Sequence, residues 1–264
     1  MNTSPFRPPV YVRVPRSCLS AVFFAFFGLG GLIIGGGVFP FLLLFGRSAS
    51  IRKLMRKLVR ASWWLFVAGA RITGLFRVVV SPEDRERLAN AHGRVIVANH
   101  ITLIDIVVLA TCLQDATSIA KAAAGRNFFY SRIVRSVFLV NDDPVHVMDE
   151  ARQLLENGTN VVVFPEGTRV PVTATTRKLR RGAAQIALHA HAPILPVKIV
   201  CDPPVLGKGQ PWYDVADRII TWTLEVKDEI PAPSPSFAGS STHVAASALT
   251  REIYGRLWPN EVES

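Results

Sequence analysis

The first 82 residues contain no aspartate and no glutamate, although they hold eleven lysines or arginines. All twenty acids come later, where they offset the other nineteen basic residues. The formal charge of +10 at pH 7 is therefore a property of the N-terminal part alone. These cations flank an apolar stretch, which points to membrane lipids as partner rather than to nucleic acid. No zinc-finger spacing and no RNA-binding aromatic motif occurs elsewhere, so no nucleic-acid partner is expected. Cysteine is scarce as well. Cys18, Cys112 and Cys201 are odd in number, far apart and without a CxxC. Neither a disulfide framework nor a structural zinc site is expected from that spacing, and the thiols fit the reducing, cytoplasmic side of a membrane. The chain also lacks a GxSxG nucleophile elbow, a Walker A loop and an HExxH pair, which removes three common chemistries.

What the N-terminal part does have is hydrophobicity. Ser17 to Gly46 is a run of thirty uncharged residues, and a spanning helix needs only about 20. It is too long for a signal peptide and reads as an anchor. Gly35, Gly36, Gly37 and Pro40 interrupt it, so a single span and a kinked or re-entrant helix pair are both open. Arg7, Arg13 and Arg16 precede the run, whereas Arg47, Arg52, Lys53, Arg56, Lys57 and Arg60 follow it. The richer flank belongs in the cytoplasm, so the remaining chain is expected on the cytoplasmic face of the inner membrane. Ile51, Leu54, Met55 and Leu58 recur at helical spacing among the basic residues, with Trp63 and Trp64 after them. That pattern predicts an amphipathic helix in the headgroup layer, apolar face down and cations toward anionic lipid.

At 264 residues the chain has room for one sizeable domain plus this accessory segment. The expected division is residues 1–75 for anchor and interfacial helix and 76–264 for the main domain. Predicted strands are Phe76–Val80, Arg94–Ala98, Ser136–Val140, Asn160–Phe164, Ile194–Val200 and Arg218–Val226. Predicted helices are Leu103–Leu113, Val147–Asn157, Leu179–His189 and Thr242–Trp258, the last after a Pro/Ser-rich connection at Pro231–Ser236. The alternation implies an α/β fold with a mixed or largely parallel sheet flanked by helices.

Two stretches carry chemistry. In the first, a buried strand ends at Ala98, then come Asn99 and His100, then a helical pattern containing Asp105. Were all of these helical, His100 and Asp105 would sit about 140° apart. With His100 on the strand-to-helix turn, Asp105 in the first helical turn can reach back to its ring. That is the arrangement a general base needs, because the carboxylate fixes the tautomer and stabilises the imidazolium. In the second, NVVVFPEGTR over Asn160–Arg169, four apolar residues run into Pro165, Glu166, Gly167, Thr168 and Arg169. The turn places Glu166 and Arg169 at a strand's carboxyl end, where open α/β sheets form their binding crevice, and Arg offers a planar fork for phosphate or carboxylate. From Gly167 to Cys201 there are six basic residues and no acid, namely Arg169, Arg177, Lys178, Arg180, Arg181 and Lys198. His189 and His191 are two apart in a helix, a spacing that does not aim both at one metal.

Together these stretches resemble the 1-acylglycerol-3-phosphate acyltransferase family. Asn99, His100 and Asp105 match its NHxxxxD motif, with Thr102 where the family usually has Ser. Phe164 to Arg169 matches its FPEGTR motif. Lys178-Leu179-Arg180-Arg181-Gly182 matches the basic stretch after it, and Ala192 to Val197 matches the apolar motif with a central Pro. The resemblance covers roughly Val79 to Val200. A further motif departs. Lys121 matches its Lys and Tyr130-Ser131 stands near its Gly, but Asn141-Asp142-Asp143 follows Phe138-Leu139-Val140, where the family has an Arg for acceptor phosphate. An acid there repels a phosphate.

The resemblance implies a glycerolipid acyltransferase-like fold and direct transfer of a fatty acyl group from acyl-CoA or acyl-carrier protein to the hydroxyl of a lysophospholipid. His100 would be the base and Asp105 its orienting partner. Glu166, Gly167, Thr168, Arg169, Lys121 and Arg181 would bind substrate, and backbone N–H groups near the helix start would stabilise the oxyanion. Neither a metal nor a bound cofactor is expected. Alternatives are a non-phosphate or specialised acceptor, such as an aminoacyl lysolipid or a polyene, and a non-catalytic membrane adaptor.

Overall fold

The computed structural model describes residues 10–122, 131–171, 174, 177–233 and 242–259. Arg7, Tyr130 and residues 234–236 of the Pro/Ser-rich connection lie outside them. The apolar run forms helix α1 (Val10–Ile33), a π-helical turn over Ile34–Val38, and α2 (Phe39–Leu43). The wide turn falls on the three consecutive glycines, a local answer to the interruption seen in the sequence. After a short turn, α3 (Ala49–Ile72) begins at Ser48, whose Oγ accepts the Ile51 N–H. It folds back along α1. Phe23 and Phe27 meet Phe66 with ring centroids 5.9 and 5.2 Å apart, while Phe39 joins Met55 and Val59 in one apolar cluster. The two helices are therefore an antiparallel hairpin.

The residues expected on one interfacial helix divide between two faces of α3. Met55, Val59, Phe66 and Ala70 are buried, whereas Leu54, Trp64, Leu65 and Ile72 are exposed. Arg56 does not reach toward lipid, as the sequence pattern predicted for it. It points inward and makes two hydrogen bonds to Asp115, at 2.7 and 2.9 Å, and one to Thr159 Oγ1 at 3.1 Å. A guanidinium leaves water only with such a partner. Burial pushes the Asp115 carboxyl up, but its bonds to Arg56 prevail and hold it below the usual carboxylate range.

The main domain carries a seven-stranded sheet: β1 (Phe76–Val80), β2 (Val95–Ala98), β3 (Ala116–Lys121), β4 (Leu139–Asn141), β5 (Asn160–Val163), β6 (Ile194–Asp202) and β7 (Ile220–Val226). Its order is β1-β7-β6-β2-β5-β3-β4, and every neighbouring pair is parallel except β6 with β7. The expected α/β fold with a mixed, mostly parallel sheet is what forms. Helices α4 (Pro82–Ala89), α5 (Asp105–Cys112), α6 (Ser131–Val137), α7 (Pro144–Glu156), α8 (Gly182–Ala190) and α9 (Thr242–Leu257) surround it. The two-residue period of β2 sorts the core. Ile96 and Ala98 pack with α3 and α5 on one face, Val95 and Val97 with α7, α8 and α9 on the other.

Three elements differ from expectation. The strand predicted at Ser136–Val140 is shorter, because its first residues end α6 and only Leu139–Asn141 pair at the sheet edge. Strand β3 was not anticipated, since Thr117 and Ser118 interrupt its apolar pattern; both are buried, and Thr117 Oγ1 donates to Val137 O at 2.6 Å. Helix α4 is almost wholly polar, but Ser81 accepts the Asp84 N–H and Pro82 starts the first turn. His189 contacts Asp149 on the surface and His191 ends α8 in a left-handed conformation, so neither forms a metal pair.

Candidate active site

Strands β2 and β5 are parallel neighbours, with Val97 in register with Val163. His100 lies two residues past the end of β2, and Glu166 three past the end of β5. Asn99 fixes the end of β2 by exchanging two hydrogen bonds with Ile199 of β6, at 2.8 and 2.6 Å. His100 sits on the turn and Asp105 is the first residue of α5. The imidazole Nδ1 lies 2.9 Å from Asp105 Oδ2. The pair anticipated from the five-residue spacing is therefore assembled by the turn.

The tautomer follows from the neighbours of Asp105. Its Oδ2 also accepts the N–H groups of Ile101 and Thr102, both at 2.7 Å, and its Oδ1 accepts the Thr102 hydroxyl. A carboxylate serving three other donors is an acceptor, so His100 Nδ1 must carry the proton toward it. That leaves the Nε2 lone pair free for an incoming hydroxyl. Thr102 Oγ1 in turn accepts from Trp222 Nε1 at 3.3 Å, which supports the turn from β7. The N–H groups expected to serve an oxyanion are engaged otherwise: Ile101 and Thr102 donate to Asp105, and Leu103 donates to Leu206 O at 3.0 Å.

The FPEGTR turn closes over His100 from the other side. Glu166, 5% exposed, accepts the His100 backbone N–H on Oε2 at 2.7 Å. The Val170 N–H donates to His100 O at 2.8 Å, and the Phe164 ring stacks on the imidazole at 4.5 Å. Gly167 is at φ +67°, a left-handed conformation that favours glycine, and a Cβ there would stand 2.7 Å from Arg180 Nε. Burial raises the Glu166 carboxyl to about 7, with the nearby Asp105 adding to the rise, against the opposing pull of the His100 N–H, Arg177 and Lys198.

The remaining predicted residues are dispersed. Arg169 extends to the loop after β6 and donates to Leu206 O and Gly207 O at 2.9 and 3.0 Å. Thr168 is half-buried in the same turn. Lys121 ends β3, which β5 separates from β2, and it is in register with Asn141. Asp142 is exposed and ion-pairs with Arg135 at 3.4 Å, while Asp143 caps α7 through the Val145 N–H. Arg181 is exposed at the start of α8 against His243 of α9. Conversely, the fold recruits residues that the motifs did not single out. Trp222 supports Thr102, and Arg177 lies 3.5 Å from Glu166 Oε1. Arg177 was only one of six cations in a basic stretch, with no spacing to mark it. Beside the His100 turn, Phe23, Phe24, Phe66, Ile104, Trp212 and Trp222 line a small apolar recess. Among the described residues there is no cluster of metal-ligating side chains.

A sheet of this order with a His–Asp pair at its carboxyl edge defines a class. Residues 79–200 match the Acyltransferase family model. Within that class the chain is similar to a probable 1-acyl-sn-glycerol-3-phosphate acyltransferase of Mycoplasma pneumoniae, 27% identical over 150 residues that cover 53% of each chain. It is also similar to the 1-acyl-sn-glycerol-3-phosphate acyltransferase alpha of Mus musculus, 26% identical over 184 residues, 67% of this chain and 58% of that one. A 1-acyl-sn-glycerol-3-phosphate acyltransferase from Borreliella burgdorferi is 28% identical over 153 residues, 55% of this chain and 57% of its own. The chain thus spans little more than half the length of these relatives. The crystal structure of the 1-acyl-sn-glycerophosphate acyltransferase PlsC from Thermotoga maritima shares the fold, with a TM-score of 0.60 and 20% identity over 96% of this chain and 100% of that one.

Proposed function

We propose that this chain transfers a fatty acyl group from a thioester donor, acyl-CoA or acyl-carrier protein, to the hydroxyl of a lysophospholipid such as 1-acylglycerol-3-phosphate. The observation that carries the reading is the His100–Asp105 pair, with its tautomer set by the other donors on Asp105. His100 Nε2 takes the hydroxyl proton, the oxygen attacks the thioester carbonyl, the C–S bond breaks, and the imidazolium gives the proton to the departing thiolate. Asp105 stabilises the imidazolium. The helical run Val10–Leu43, 34 residues, is long and apolar enough to cross a membrane. It would hold the domain at the cytoplasmic face, where lipid acceptor and product reside.

The acceptor headgroup is the finer question. The family's acceptor-binding Arg is replaced near Asn141-Asp142, which favours a non-phosphate acceptor as second reading, yet Arg135 partly offsets Asp142. The deciding experiment incubates the reconstituted chain and its His100→Ala variant with labelled acyl-CoA or acyl-carrier protein and a panel of lysolipids. Esterified product on lysophosphatidate, lost by about 10²–10⁴-fold in the variant, is expected. Product only on acceptors without phosphate would move the substrate and keep the mechanism. Thioester consumption unchanged in His100→Ala would overturn it.

A further inference from the structure

Behind Glu166 lies a second layer of residues. Arg177, 5% exposed, approaches Glu166 Oε1 at 3.5 Å while Oε2 holds the His100 N–H. The guanidinium rests on the Trp258 ring, 5.2 Å from its centroid. Lys198 of β6 stands 4.8 Å from the same ring and donates to Leu257 O at 3.0 Å. Tyr254 packs against Trp258 at 5.2 Å. Trp258, itself 2% exposed, directly follows α9, well beyond the segment that matches the family model.

We infer that Arg177, braced on Trp258, is a positioning residue: it fixes the Glu166 carboxylate and, through it, the backbone of the His100 turn. The physical argument is one of constraint. A carboxylate bonded on one oxygen can swing about its terminal torsion, which is broad and soft. A cation on the second oxygen removes that freedom, and an aromatic face holds the cation without adding an acid that would compete for it. The C-terminal helix thereby becomes part of the catalytic architecture although it touches no reacting atom. The charges around Glu166 are Arg177 and Lys198, which favour its ionised form, and Asp105, which opposes it; its remaining polar partner is the His100 N–H. Loss of Arg177 thus moves ionisation of Glu166 to higher pH.

This inference rests on the proposed transfer reaction, so its test has one readout that needs no substrate. Amide hydrogen exchange of the peptide containing His100 is compared in the full-length chain, R177K, R177M and W258L, beside pH profiles of acyl transfer from acyl-CoA to whichever lysolipid the wild type esterifies. In R177M and W258L the His100 amide is expected to exchange about tenfold faster or more, as its acceptor loosens. In R177M the acid limb of kcat moves to higher pH by about one unit, with KM little changed. R177K recovers most of both. If R177M does not fold, R177K and W258L carry the same two measurements. Unchanged His100 exchange together with a loss that is equal at every pH would assign Arg177 a merely structural role and overturn the inference. A wild type that esterifies nothing would defeat the transfer reading instead, while the exchange data would still decide the Arg177 relay.

Discussion

At the scale of single residues, the chemistry depends on which atoms are left free. Asp105 gives all of its acceptor capacity to His100, Ile101 and Thr102. Asp105→Asn would present an N–H where an acceptor is required and would favour the wrong imidazole tautomer. We expect kcat to fall by about 10³–10⁴-fold with little loss of fold, measured by acyl transfer beside a thermal melt. Glu166 makes the opposite kind of prediction. Its carboxyl sits at about 7 in the folded chain against an ordinary 4.5, so folding opposes its ionisation. The stability this group contributes is full below its unfolded value and is lost as pH rises through about 7. That loss amounts to about 3 kcal/mol between pH 4.5 and pH 8. Glu166→Gln should therefore flatten the alkaline fall in stability while reducing transfer, as seen by denaturant unfolding across that range. A variant that keeps the wild-type slope would show that another group titrates.

At the scale of elements, the decisive contacts join segments distant in the chain. Helix α3 is tied to the sheet by Arg56, which reaches Asp115 before β3 and Thr159 before β5. Arg56→Met would strand a buried carboxylate. We expect a loss of about 3–5 kcal/mol, read as a lower denaturation midpoint, with Asp115→Asn in the same chain restoring part of it. The His100 turn is held in the same way, by the turn after β5, by Ile199 within β6 and by the side of β7. Replacing Thr102 by Ser keeps both of its hydrogen bonds and should leave transfer within about twofold, whereas Val breaks both and costs about 1–3 kcal/mol in stability.

At the scale of the whole molecule, α1 does more than tether. Arg16 donates to Ala216 O and Arg218 O, and Ser17 and Ser20 donate to Tyr213 O and Trp212 O, so one side of the helix is docked on the domain. Val14, Val22, Phe26, Leu29 and Leu32 stay exposed on its other side. Such a face associates with membranes through hydrocarbon contact as well as charge. Binding to vesicles of phosphatidylcholine and phosphatidylglycerol is therefore expected to survive 1 M salt, which screens the basic residues after Gly46. Release by salt alone would make charge the whole of the attachment.

The sequence by itself marked most of the elements and the His100–Asp105 pair. Alternation of β-branched runs with helical patterns is a local property, and so is the spacing that lets Asp105 reach back to His100 around one turn. The polar helix α4 was equally legible in principle from its Ser81-Pro82 start. Tertiary structure decided what local pattern cannot encode. It buried Arg56, which carries the same charge as its exposed neighbours Lys53 and Lys57 but faces Asp115. It turned Arg169 to the loop carbonyls of Leu206 and Gly207 and brought Arg177 to Glu166, although both belong to one basic stretch. It seated Trp258, at the far end of the chain, behind the His100 turn. The reason is common to all three. A side chain's charge and shape are written in the sequence, but its partner is set by which distant strand ends the sheet order places side by side.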